Sequence, residues 1–95
     1  MTEDREGELA MLMRASLAGD QSAYRALLMA IAPVLRAAAR QKIARNGAAS
    51  IDTEDIVQET LLAIHLKRQT WQADRPIGPW IRAILHHKMI DVFRR

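Results

Sequence analysis

The chain has 95 residues, 49% of them apolar, and its 14 Lys and Arg outweigh 11 Asp and Glu for a net charge of +3. That length holds one domain with a modest core, burying about 60–65% of the unfolded surface, and the composition lacks the polar bias of a disordered chain. The absence of Cys rules out disulfides and thiolate metal sites, no apolar run approaches the ~20 residues that span a bilayer, and the acidic start MTEDREGELA is no signal peptide, so the expectation is a cytoplasmic domain.

Almost every segment favours helix, with Ala, Leu, Met, Arg and Gln abundant and few β-branched runs. A first helix is expected over residues 7–18, where Leu9, Leu12, Met13 and Leu17 recur at three- and four-residue steps before Gly19. Asp20 then caps a second helix over residues 21–45, with Tyr24, Leu27, Leu28, Ile31, Leu35 and Ala38 on one side. Pro33 lies within it and should kink it, and Asn46-Gly47 ends it. Ser50, Asp52 or Thr53 caps a third helix over residues 53–68. A loop with Pro76, Gly78 and Pro79 follows, and a last helix runs from Pro79 to the end on Ile81, Ile84, Leu85, Met89 and Val92. The expected fold is all-α, a small bundle of about four helices. The last helix stops at Arg94-Arg95 without a closing Gly, Asn or Pro, which suggests a piece of a longer protein.

Charge alternates along these elements: net −3 over residues 1–20, +5 over 21–50, −3 over 51–74 and +4 over 75–95. Two kinds of surface fit this pattern, one for a polyanion and one for a basic partner. Oppositely charged helices facing each other would also produce it. Glu54 and Asp55 fall in a helical first turn, where the dipole favours acids, but Glu59 lies too far in for that account. It stands one turn from Asp55, a spacing at which like charges repel mildly, so the pair is better used against a basic surface on another molecule.

Enzyme signatures are missing. The sequence has no Gly-rich phosphate loop, no GxSxG and no HExxH. His86 and His87 point about 100° apart on a helix and are poorly placed to chelate; no cofactor is expected. The basic residues Arg36, Arg40, Lys42 and Arg45, and then Arg82, Lys88, Arg94 and Arg95, suit a nucleic-acid backbone, and Trp71 and Trp80 bracket the loop before the last helix. Basic groups beside aromatics hold phosphates and stack unpaired bases. The plainer reading makes Trp80 a core residue and the basic groups a solvated face.

DIVQETLLAIHL, a loop with Trp71, and then RPIGPWIRAILHHKMIDVFRR closely resemble region 2 of the bacterial sigma factors of the extracytoplasmic-function group. That family has a DLVQE-type helix, a short loop and a W-L-x-x-I-A-x-N-x-x-x-D-x-x-R-R helix. Asp55, Val57, Gln58 and Glu59 match the first, and Trp80, Ile81, Ile84, Asp91, Arg94 and Arg95 the second. The opening LMRASLAGDQSAYRALLMAIAPVLRAAAR is similar to the family's start, so the likeness covers nearly the whole chain.

The resemblance implies a non-enzymatic module of an alternative sigma factor. Asp55, Gln58, Glu59 and Leu62 would dock on the clamp helices of the RNA polymerase β′ subunit. The −10 element of promoter DNA would be recognised and melted by Trp71, Arg75, Arg82, His86, His87, Lys88 and Arg95, although Asp91 and Arg95 also form an i,i+4 pair in the favourable order that could simply brace the helix. An anti-sigma factor is the implied regulatory partner. The chain departs from the pattern at His87, where the family has Asn, and in ILHHK, so no promoter sequence is carried over. Nothing in it resembles region 4, the family's helix-turn-helix for the −35 element. The competing reading is a sigma mimic that keeps the fold to bind an anti-sigma factor without DNA; such a mimic should lose the basic and aromatic residues retained here.

Overall fold

The computed structural model describes residues 3–48 and 50–95; Met1 and Thr2 of the acidic amino terminus lie outside this range. Four α-helices follow one another: α1 (Glu3–Leu17), α2 (Gln21–Arg45), α3 (Thr53–Lys67) and α4 (Ile77–Phe93), with one 3-10 turn, Arg68–Thr70, between the last two. There is no strand among the described residues. Each helix packs on the next in sequence, and α1 also reaches α4.

The helix boundaries follow from local chemistry. Gly19 adopts a φ of 104° and Gly47 one of 62°, a region costly to any residue with a Cβ, and they end α1 and α2. The Asp20 side chain accepts the Ala23 amide at 3.0 Å and Asp52 that of Glu54 at 2.9 Å, each satisfying an amide the first turn leaves unpaired. Of the three caps the sequence offers α3, Asp52 is the one used.

Two helix starts differ from the sequence-based expectation. Helix α1 begins at Glu3, four residues early, because its acidic opening suits a helix amino terminus without needing an apolar stripe. Helix α2 runs on through Pro33, whose ring is on the exposed side, while Leu27, Ile31 and Leu35 are buried on both sides of it. Helix α4 begins at Ile77 rather than Pro79. A proline in the first turn costs nothing there, since its missing amide would have had no partner within the helix.

The core joins Leu9 and Met13 of α1, Leu27, Ile31 and Leu35 of α2, Ile56 and Ile64 of α3, and Ile77, Ile81 and Met89 of α4, all almost fully buried. Thr60 is buried among them, and its hydroxyl donates to the Ile56 carbonyl at 2.7 Å, so it is not left unpaired. By length and composition α2 is apolar enough to cross a membrane, contrary to the sequence-based expectation. Here it is the central core helix, with Ala23, Leu27, Ile31, Leu35, Ala39 and Ile43 buried.

Candidate polymerase and promoter-strand surfaces

Helix α3 divides cleanly by angle. At about 100° per residue, the buried Ile56, Val57, Thr60, Ala63 and Ile64 cover one side. Asp55, Gln58, Glu59, Leu62 and Leu66 fall on the opposite stripe. Asp55 and Gln58 are exposed, Glu59 is half-buried, and Leu62 and Leu66 are 57% and 73% exposed. Two large apolar side chains left in solvent beside polar ones mark a contact surface better than either type alone. Leu66 was absent from the expected set, although its place one turn beyond Leu62 was a readable signal.

Glu59 is engaged within the chain. Arg95 donates to its Oε1 at 2.7 Å across 36 residues, while the buried Oε2 has no partner. This hydrogen bond and then the Glu59 charge hold the Arg95 guanidinium above its ordinary pKa, with smaller contributions from Asp91 and Asp55. Arg95, expected at DNA or as a local brace with Asp91, thus pairs with α3. Its fourth-neighbour spacing to Asp91 yields to a partner across the α3–α4 contact.

The tryptophans exchange roles. Trp71, expected as a platform in a polar loop, is only 5% exposed and belongs to the core. This corrects the reading of an open stacking face: the ring follows the 3-10 turn inward, and its Nε1 is buried without a partner. Trp80, expected in the core, is half-buried at its edge. Both line one open hollow of about 680 Å³ with Thr70, Gln72, Arg75, Pro76 and Pro79. Arg75 is exposed at this hollow. A cation, the half-buried Trp80 indole, the margin of buried Trp71 and two prolines around an open concavity suit a flat, unstacked base with its phosphate.

The remaining expected DNA residues separate along α4. Arg82, His86 and His87 are exposed and turn away from the buried side formed by Ile77, Ile81, Ile84, Leu85 and Met89. The two imidazoles lie 6.1 Å apart between centroids, tilted by 46°. Lys88 is half-buried, on the core flank at about 100° per residue, and so leaves the outward stripe. No group of three or more metal-ligating side chains occurs among the described residues.

A second cluster was not anticipated. Tyr24 Oη and Arg68 Nη1 each lie 2.7 Å from His65 Nδ1, and the Arg68 guanidinium sits 4.9 Å from the Tyr24 ring centroid. Arginine can only donate, so Nδ1 is the acceptor in the Arg68 contact. The cluster ties the start of α2 to the end of α3. These residues line a hollow of about 340 Å³ with Gln21, Arg25 and Leu28.

The family model for sigma-70 region 2 matches residues 27–95. The chain is 44% identical over 92 residues to the ECF RNA polymerase sigma factor SigF of Caulobacter vibrioides (strain NA1000 / CB15N), covering 97% of this chain and 50% of that relative. It therefore spans about half the length of the curated relative it matches. No solved structure matches it. A helical bundle with an acidic and apolar stripe on α3, an indole-lined hollow and a basic outward face on α4, matched by that family model over most of its length, belongs to the sigma-70 family as a region 2 of the extracytoplasmic-function kind.

Proposed function

We propose that the chain is the polymerase-binding and promoter-opening module of an alternative sigma factor acting in the cytoplasm, and that it has no catalytic chemistry of its own. Asp55, Gln58, Leu62 and Leu66 contact the clamp helices of the RNA polymerase β′ subunit, with Glu59 at the margin of that contact. The hollow lined by Trp71, Arg75 and Trp80 receives an unstacked base of the −10 element, and Arg82, His86 and His87 follow the strand beyond it. Arg95, paired with Glu59 of α3, and Lys88, on the core flank of α4, are not assigned to DNA. Capturing a base costs a few kcal/mol of stacking, which aromatic walls and a neighbouring cation offset.

The observation that carries this reading is the coexistence on α3 of an acidic stripe and two exposed leucines, in a chain whose basic and aromatic residues gather elsewhere. An anti-sigma factor would compete by covering the same stripe. A mimic that binds only such a factor has no use for exposed Arg75, Arg82, His86 and His87, so the working sigma factor is the reading we adopt.

The test is binding to a β′ clamp-helix fragment, with Leu62→Asp as the control. This substitution tests docking better than Glu59→Arg, which would set one arginine against Arg95. Losing a central apolar contact should weaken binding about tenfold or more, with helix content by circular dichroism unchanged. Equal binding by the wild type and Leu62→Asp would refute the docking face.

A further inference from the structure

The loop that forms the hollow has little holding it from within. Between the 3-10 turn and α4 its backbone bonds are Trp71 N–H to Arg68 O at 3.3 Å and Arg75 N–H to Gln72 O at 2.9 Å. Residues Gln72 to Pro76 are exposed, and Pro76, which caps α4, offers no side-chain hydrogen bond. A segment of this kind sits at the low-stability end of a fold unless something outside it supplies order.

Helix α1 supplies that order, from two points. Arg14 Nη1 donates to the Ala73 carbonyl at 3.0 Å. Glu6 Oε1 accepts the Gly78 amide at 2.8 Å, standing in for the missing cap of α4 and placing a negative charge at its amino terminus. Glu6 and Arg14 are separated by about 12 Å along α1; the carbonyl they hold lies within the loop and the amide in the first turn of α4 just after it. Both bonds are charge-assisted, the stronger class. Helix α1 lies wholly outside residues 27–95, the part that matches the region 2 model.

We infer that α1 is a brace for the strand-capturing loop, in which Glu6 and Arg14 are positioning residues that fix the shape of the hollow and through it the affinity for the −10 strand. The inference rests on the promoter reading above and adds an element to it. Bond and charge have opposite signs at Glu6. If Glu6 acted only through its charge, removing it would strengthen binding to a polyanion. As a brace, its loss weakens binding.

The experiment uses the chain bound to core RNA polymerase. The probe is a labelled short single strand, the tightest binder selected by the wild type from a randomised DNA pool. Glu6→Leu and Arg14→Met should each lower affinity for this strand about fivefold, the value of one hydrogen bond. Glu6→Gln, which keeps an acceptor without the charge, should stay near wild type, and polymerase binding should be unchanged throughout. The two tryptophans are the chain's full complement and both line the hollow. Acrylamide quenching of their fluorescence therefore reports loop order without DNA, and should rise in Glu6→Leu and Arg14→Met alone. Strand affinity that rises in Glu6→Leu, or quenching unaltered in both variants, overturns the brace. A wild type that selects no strand sinks the promoter reading instead, and quenching then decides alone whether α1 orders the loop.

Discussion

Arg95 shows how much one side chain can reassign. Its sequence position suggested a DNA contact or a local pair with Asp91, yet its guanidinium lies on Glu59 Oε1. The pair masks an acid on the helix proposed to meet basic clamp helices. Arg95→Ala should therefore strengthen binding to a clamp-helix fragment at low salt and steepen its salt dependence, because a free carboxylate is added to an exposed stripe. The same variant should leave affinity for the −10 strand within about twofold, as expected of a residue that makes no phosphate contact. A titration of both partners at two salt concentrations checks this.

Among the elements, α2 and α3 are joined at one end by Arg36 and Glu54, whose two hydrogen bonds measure 2.7 and 2.9 Å. At the other end Tyr24, His65 and Arg68 make the link, so the two helices run antiparallel. The Arg36 hydrogen bond holds the Glu54 carboxyl below its ordinary pKa, aided by the charges of Arg36 and Arg40 against the opposing effect of desolvation. A carboxylate lowered in the folded state adds stability that is present above its unfolded pKa and fades as pH falls through the folded value. The link is thus intact at neutral pH and weakens only on the acid side of normal carboxylate titration. Glu54→Gln should lose this part of the pH dependence. Thermal melts from neutral pH down to about pH 3 should show a shallower acid decline for the variant. The pair is exposed, so the difference should be small.

For the whole molecule, the one core couples both proposed surfaces. Ile64 is fully buried on the inner side of α3, behind the exposed stripe. Ile64→Ala should cost about 2–5 kcal/mol, much of the stability of a small domain. Denaturant unfolding should show this loss, and clamp-helix and strand binding should fall together as the temperature rises. Leu62→Asp, on the outer side of the same helix, should remove the first and spare the second.

The sequence by itself determined the helices, the cap at Asp20, the glycine stops, most of the core positions and the outward acidic and apolar stripe from Asp55 to Leu62. These are properties of neighbours within a turn or two, where periodicity and capping act. It also determined the family, through residues in a fixed order. Only the tertiary structure decided which acid is masked, which tryptophan is buried, and that Glu6 and Arg14 reach the loop. Each of these depends on a partner 36 to 72 residues away or on how an irregular segment folds back. Local spacing carries no record of such distances, because the energy that selects the partner arises only when the helices pack.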